Sequence, residues 1–377
     1  MSAAAARRRV RAMIRKESLQ ILRDPSSIAI AFVMPIVLLL LFGYGVSLDA
    51  RHIPLALVVE QPDANTASLQ GAFARSDYFT PSFFTTIQLA EQALDRREVD
   101  GIVWLRNDFT RHLQTPDAAA SIGVIINGVD ANQARLTEGY IQGVWQSWLA
   151  AFAASQGREL SAAVALEPRI WFNAAVRSRN FLVPGLIAVI MTLIGAMLTS
   201  MVVAREWERG TMEALMVTPI HIGELIIGKL VPYFVLGMGG MFLSVALAVW
   251  QFGVPLRGSF LALTLASALF MLVALGMGLL ISVVAKNQFV AGQISIITTF
   301  LPAFILSGFI FQISSMPEPI QWLTHIIPAR YFVTILQSLF LAGDIWPIIL
   351  TNSAALVVMM VVFLGLARRK TVKRLDA

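Results

Sequence analysis

Long apolar runs separated by short polar segments cover most of the chain, and they predict membrane-spanning helices. A helix needs roughly 20 residues to cross about 30 Å of hydrocarbon, and six runs reach about that length. A seventh apolar stretch contains Pro328 and Arg330, so we expect two short re-entrant or interfacial helices there instead of another span. The six runs are Ser26–Val46, Phe181–Val203, Leu230–Trp250, Ser259–Ala285, Ala291–Phe311 and Ile345–Ala367. The pattern therefore predicts an α-helical polytopic membrane protein with six transmembrane helices.

The segment 48–180, between the first and second runs, has a different pattern. Strand-like runs such as Leu55–Glu60 and Gly101–Leu105 alternate with helical patterns such as Gln88–Glu98, and a long helix is expected from about residue 131. Alternation of this kind is typical of a small α/β domain. The segment contains no catalytic triad, metal-ligand spacing or glycine-rich phosphate loop. We therefore expect an α/β domain inserted between transmembrane helices 1 and 2.

Residues 1–25 precede transmembrane helix 1, which is predicted at 26–47, and an amphipathic helix is predicted over 7–24. One apolar stripe is surrounded by basic residues, which is typical of a helix lying at a membrane interface. The stripe consists of Val10, Met13, Ile14, Ile21 and Leu22. The pattern leaves open whether this helix anchors the chain to the membrane surface or contacts a partner protein.

A charged segment, 205–218, interrupts the apolar region 181–367. Its apolar residues Met212, Leu215 and Met216 are spaced to share one helix face, and Thr218-Pro219 ends the helical pattern. The charged residues around that face are Glu206, Glu208, Arg209 and Glu213. A short amphipathic helix between two spans is suited to a socket on another protein.

Small residues recur every fourth position in the third and fourth runs. Such stripes let helices approach closely, either inside the bundle or between two copies of the chain. They are Gly240, Ser244 and Ala248 in the third run, and Ala274, Gly278 and Ser282 in the fourth.

Composition and charge set the orientation. Of the 377 residues 57% are hydrophobic and 14% charged, whereas soluble proteins carry about 25% charged residues. Basic residues cluster before the first run and in the tail 368–377, so the positive-inside rule predicts two cytoplasmic termini. The segment 48–180 is then extracytoplasmic. The net charge of +6 follows from these flanks and indicates no nucleic-acid partner.

Several chemistries are excluded by the residues present. Gly223–Lys229 matches the first seven positions of a phosphate-binding P-loop, but Leu230 replaces the Ser/Thr that binds magnesium and no strand precedes it. Cysteine is absent, the four histidines are scattered, and no catalytic or metal-ligating residues are predicted. The six apolar runs contain no Asp, Glu, Lys, Arg or His, which argues against a proton-coupled carrier. If this chain transports a substrate, we expect the energy to enter from the cytoplasm.

Three segments, which follow one another along the chain around the six spans, resemble the permease subunit of a bacterial type-2 ATP-binding-cassette exporter. The resemblance is to the branch of that family with a large periplasmic domain. In a connecting helix before span one, the similarity rests on Arg15, Lys16, Glu17, Arg23 and Asp24. In a coupling helix within 205–218, it rests on Glu206, Arg209, Thr211, Met212, Glu213 and Leu215. In an outer re-entrant segment, 312–344, it rests on Pro317, Pro328, Arg330 and Tyr331.

The resemblance implies a permease of the bacterial inner membrane that lacks ATPase activity and binds no cofactor, with ATP and Mg²⁺ on a separate cassette ATPase. It implies that Glu206, Arg209 and Glu213 bond to that ATPase, and that Met212, Glu213 and Leu215 move as a lever. Two permeases would pair, as a homodimer or with a related subunit, and a periplasmic membrane-fusion adaptor could join them. The expected substrate is a small amphipathic or lipid-like compound, such as a drug, with no binding residues identified. A membrane-bound sensor and an ion-coupled secondary transporter stay open as alternatives.

Overall fold

The computed structural model describes residues 3–45, 52–114, 122–129, 131–157, 172–173, 177–218 and 220–371. Within these residues the protein is predominantly helical, and six helices are long and apolar enough to cross a membrane. These candidate spans, numbered 1 to 6 in chain order, are Pro25–Gly45, Ser178–Glu208, Ile222–Trp250, Phe260–Ala285, Gln288–Leu306 and Trp346–Lys370. The predicted junction at 47–48, Pro219 and residues 372–377 of the predicted tail lie outside the described residues.

The chain divides into two compact units, 1–47 with 170–377 and 48–169. In the first unit, span 2 lies at the centre and packs against spans 1, 3, 4 and 5. Of its most apolar 18-residue stretch, 89% is buried. The small-residue stripes are used inside this bundle. A Cβ on Gly278 would lie 2.2 Å from the Ala196 carbonyl of span 2, and one on Gly240 would lie 2.4 Å from the Ala31 carbonyl of span 1.

Span 2 has a break at Met201, between helical segments Ser178–Ser200 and Val202–Glu208. The backbone N–H groups of Val203 and Ala204, just after the break, both donate to the Ser282 hydroxyl of span 4 at 2.9 Å. An apolar environment requires every backbone N–H to have a partner. Ser282 therefore lets the helix continue to Glu208 after the break.

The predicted pair of short helices within 312–344 is present as Glu318–Thr324 and Pro328–Ala342, bent by 85°. Pro317 caps the first helix, and Pro328 is the first residue of the second. Arg330 closes the bend because its guanidinium donates to the Thr324 hydroxyl and to the carbonyl of Gln321, the latter at 3.3 Å. The Tyr331 hydroxyl adds a bond to the His325 carbonyl at 3.0 Å. We call these two helices the bent pair.

The second unit contains a small four-stranded sheet in the order β2-β1-β3-β4. β1 pairs in parallel with β2 and β3, and β4 is antiparallel to β3. The strands are Ile53–Val59, Phe79–Phe84, Gly101–Leu105 and Gly123–Ile126. The helices between and after them are Ala64–Ala74, Ile87–Asp95, Phe109–Gln114 and Ala131–Ser155. Because the crossovers from β1 to β2 and from β2 to β3 are helical, parallel pairing is the expected outcome.

Candidate functional site

The N-terminal helix is formed by Ala3–Leu22 and packs along the beginning of span 3. The approach is close: a Cβ on Gly228 of span 3 would lie 2.6 Å from Met13 Cγ. Asp24 follows the helix and caps span 1 by accepting a hydrogen bond from the Ser26 N–H at 3.1 Å. The apolar stripe of this helix is therefore covered in part by the chain itself.

The sequence pattern predicted one helix over the charged segment 205–218, but the structure has two. Arg205 to Glu208 belong to the end of span 2, and a separate short helix is formed by Thr211–Val217. Gly210 separates the two with a φ of 66°. This left-handed conformation suits glycine and ends the first helix. We call Thr211–Val217 the short helix.

A buried group of charges joins the N-terminal helix, span 2, the short helix and span 3. The Lys229 Nζ atom lies 2.8 Å from Glu17 Oε1 and 2.9 Å from Glu206 Oε1. Lys16 Nζ lies 2.5 Å from the same oxygen of Glu206, and the Thr211 hydroxyl donates to its second oxygen. We call these five residues the charged cluster. Because the side chains of Lys229, Glu17 and Glu206 are 2%, 1% and 5% exposed, each charge depends on the others for stabilisation.

The charged cluster corrects two expectations. Glu206 was expected to bond to a partner protein, but its carboxylate is buried and bonded to Lys16, Lys229 and Thr211. The third apolar run was predicted to begin at Leu230, which leaves Lys229 in a cytoplasmic loop, whereas the span 3 helix begins at Ile222 and includes Lys229. The carboxylates of Glu17 and Glu206 compensate its buried charge. The candidate spans therefore include charged residues near their ends, although the six predicted apolar runs have none.

A second ion pair joins the beginnings of spans 1 and 5 to the end of span 2. Arg205 Nη2 lies 3.0 Å from Asp24 Oδ2, and its Nε donates to the Gln288 side chain at 3.2 Å. Burial raises the pKa of Asp24. Hydrogen bonds from Ser26 and Ser27 and the charge of Arg205 lower the pKa by more than burial raises it, so the pKa lies below its usual value. Asp24 is thus a stable anion at this junction.

A third ion pair joins the N-terminal helix to the first turn of span 3. Arg9 Nη2 lies 2.6 Å from Glu224 Oε1, and Arg9 Nε donates to the other oxygen at 2.8 Å. This two-point geometry is the most specific form of Arg–carboxylate pairing. Glu224 also accepts from the backbone N–H of His221 at 3.1 Å, which fixes the start of span 3. Neither Arg9 nor Glu224 was singled out from the sequence.

One face of the short helix packs against other parts of this chain, and another face is exposed. Met212 is only 3% exposed and belongs to an apolar cluster with Met13, Ile220 and Leu225, so it attaches the helix to the N-terminal helix and span 3. This corrects the expectation that Met212 is presented to a partner. Arg209 and Glu213 are exposed, as is Val217 at 84%, which the sequence pattern did not select. The Leu215 side chain lies outside the described part of the structure.

The other predicted connecting residues are divided between the interior and the surface. Arg15 and Arg23 are exposed, Lys16 is 45% exposed, and Glu17 is buried within the charged cluster. No spacing signal in the sequence relates Glu17 to Lys229, which is 212 positions away. Only the packing of the N-terminal helix on span 3 brings the two together.

Comparisons with known proteins agree with this architecture. Residues 25–369 match the model of the family described as "ABC-2 family transporter protein". The chain is 45% identical over 369 residues to the Escherichia coli K12 protein named "Probable multidrug ABC transporter permease YbhS", covering 98% of each chain. It is 29% identical over 356 residues to the protein named "Probable multidrug ABC transporter permease YbhR" of the same strain, covering 91% of this chain and 96% of the relative. The chain therefore belongs to the ABC-2 transporter family and is the multi-pass membrane permease of an ABC exporter.

Proposed function

We propose that this permease exports small amphipathic or lipid-like compounds, drugs among them, using energy from a separate cassette ATPase. The names of the two relatives, which describe probable multidrug permeases, support the substrate class. The resemblance to a P-loop at 223–229 gives no reason to place ATP on this chain. Those residues form the start of the span 3 helix, and Lys229 is bonded to Glu17 and Glu206. We propose that ATP and Mg²⁺ are bound by the partner and that this chain binds no cofactor.

The observation that carries this proposal is the connection between the exposed short helix and the interior of the bundle. Glu213 and Val217 form its exposed side, and together with exposed Arg209, at the end of span 2, they are the contacts for the cassette ATPase. On the inner side, Thr211 bonds to Glu206, which bonds to Lys229 of span 3. A displacement of the short helix is therefore transmitted to spans 2 and 3 through direct bonds. Glu206, Thr211 and Met212 act as its inner attachments, and Glu213 is the main outer contact.

The same proposal gives an orientation and an assembly. Both termini lie in the cytoplasm of a bacterium, the segment 48–180 lies in the periplasm, and the bent pair lies on the outer face. The family implies a dimer of permeases and an ATPase partner. Exposed Arg15 and Arg23 then face the cassette ATPase together with the short helix. The small sheet of the second unit offers a periplasmic surface for a membrane-fusion adaptor.

Charge reversal at Glu213 tests the contact. In the purified complex, Glu213→Lys is expected to lower both ATPase stimulation and export severalfold, because it replaces an exposed acidic contact without disturbing a buried group. Glu91→Lys is the matched control, since Glu91 is also an exposed carboxylate on a short helix but belongs to the second unit. Normal export by Glu213→Lys, or equal losses in both variants, would contradict the proposal.

A further inference from the structure

An apolar cavity of about 370 Å³ lies away from the charged cluster, among spans 2, 4, 5 and 6 and the bent pair. Thr192 of span 2, Met277 of span 4 and Phe363 of span 6 form part of its wall. Span 5 contributes Thr299 and Leu306, and the bent pair contributes residues on both sides of its bend. Small-molecule sites in proteins have volumes of about 300 to 1,000 Å³ and walls of this apolar kind. The cavity is therefore large enough for a small organic compound.

The polar groups of this cavity are three hydroxyls with one shared property. Thr192, Thr298 and Thr299 donate their hydroxyl hydrogens to the carbonyls four residues earlier, at 2.8, 2.7 and 2.6 Å respectively. Their oxygens are therefore left as acceptors. Among the described residues that line the cavity, none is Asp, Glu, Lys, Arg or His. A charged ligand would lose its hydration without gaining a counter-charge.

Two features fix the shape of the cavity wall. Thr298 and Thr299 lie in a π-helical turn, Ile296–Phe300, and such turns are frequent at functional sites in α-helices. Pro302 follows this turn and has no N–H to donate to the Thr298 carbonyl, which is consistent with a local departure from α-helical bonding. On the opposite side, the wall formed by the bent pair is fixed by the bonds of Arg330 across the bend.

We propose that this cavity binds the transported compound, and that it selects uncharged, mostly apolar molecules carrying a hydrogen-bond donor, such as aromatic amines or alcohols. The inference rests on the proposed export function and specifies its substrate class. An acyl chain of a membrane lipid fits the apolar walls but has no donor for the threonine oxygens. The acceptor-only polar groups therefore favour the donor-bearing compound as the occupant.

The absence of cysteine from the chain makes a single-thiol experiment direct. Leu306→Cys places a thiol in the cavity wall, and Ile305→Cys is the matched control, since Ile305 is the adjacent residue, is 39% exposed and is not among the lining residues. Both variants, in complex with the cassette ATPase in lipid nanodiscs, are labelled with N-ethylmaleimide. The probes are 1-aminoanthracene, which is neutral with one amine donor group, and anthracene, which has none.

We expect 1-aminoanthracene to slow the labelling of Leu306→Cys saturably, while the labelling of Ile305→Cys is unchanged. Half-maximal protection should need an about fivefold lower concentration than with anthracene, the effect of one net hydrogen bond. Equal protection at both positions would show that the probe only enters the bilayer, and would overturn the proposal. If 1-aminoanthracene and anthracene gave half-maximal protection of Leu306→Cys at the same concentration, the donor requirement would be overturned.

Further variants test the assignment of the cavity separately from the export function. Leu306→Trp places a bulkier side chain in the cavity and is expected to lower export of 1-aminoanthracene severalfold while the cassette ATPase stays bound, whereas Ile305→Trp is expected to retain export. Replacing all three threonines (Thr192→Val, Thr298→Val and Thr299→Val) changes little in volume and should remove most of the preference for 1-aminoanthracene over anthracene in the Leu306→Cys background. If the wild-type chain bound no cassette ATPase, the export function would fail whatever the labelling showed. If it bound and exported but the thiols were never protected, only the cavity assignment would fail.

Discussion

Replacing Lys229 with methionine should destabilise the permease far more than replacing Lys16, although both lysines contact the same oxygen of Glu206. Lys229 is 2% exposed and lies 2.8 and 2.9 Å from two buried carboxylates, whereas Lys16 is 45% exposed. Removing one partner of a buried ion pair costs about 3–5 kcal/mol, while an exposed pair contributes about 0.2–1 kcal/mol. The difference between the two variants is therefore expected to be at least about 2 kcal/mol.

The structure also indicates which carboxylate causes the loss. Without Lys229, Glu206 keeps Lys16 at 2.5 Å, but buried Glu17 keeps only Lys16 at 3.6 Å. Neutralising Glu17 in the double variant Lys229→Met, Glu17→Gln should therefore restore most of the stability. The assay is the melting temperature of the purified permease in a fixed lipid–detergent mixture, together with tryptic cleavage of the N-terminal helix. Equal melting temperatures for Lys229→Met and Lys16→Met, or no recovery in the double variant, would refute the reasoning.

Three further substitutions test other parts of the structure. Gly228→Ala places a Cβ 2.6 Å from Met13 Cγ and should lower the melting temperature, whereas Gly223→Ala, with no atom within 4 Å, should not. Gly210→Ala meets no atom either but must keep a φ of 66°, which costs about 1 kcal/mol, so ATPase stimulation should fall with little change in expression. Arg330→Gln removes the bonds across the bend of the bent pair, so export assays should show a loss while ATPase binding is retained.

Hydropathy located the candidate spans well but placed some of their ends wrongly. The second span was predicted to end at Val203 and the third to begin at Leu230, since each apolar run stops there. The helices continue to Glu208 and begin at Ile222. Local hydropathy treats each charge as facing water, because the compensating partner is far away in sequence. Glu17 neutralises Lys229 from 212 positions away, so no window of the sequence contains both charges.

The predicted contact surface of the short helix failed in part for a related reason. An apolar stripe shows that something covers it, but does not show whether the cover is another protein or the same chain. Met212 is covered by Met13 and Leu225. Gly210 was within the predicted helix, although glycine is a common residue at a helix end and the structure uses it there. Glu213 was selected from the sequence and lies on the surface, and its contact with the ATPase stays a prediction.

The most direct test is ATP-driven transport in inside-out membrane vesicles that contain this chain and its partner cassette ATPase. An uncharged fluorescent drug-like dye is added outside, and its accumulation is followed with ATP, with a non-hydrolysable ATP analogue, and with a protonophore. Accumulation that needs both proteins and ATP hydrolysis, and that survives the protonophore, is the predicted result. Accumulation without the cassette ATPase, abolished by the protonophore, would identify an ion-coupled carrier and contradict the proposed source of energy.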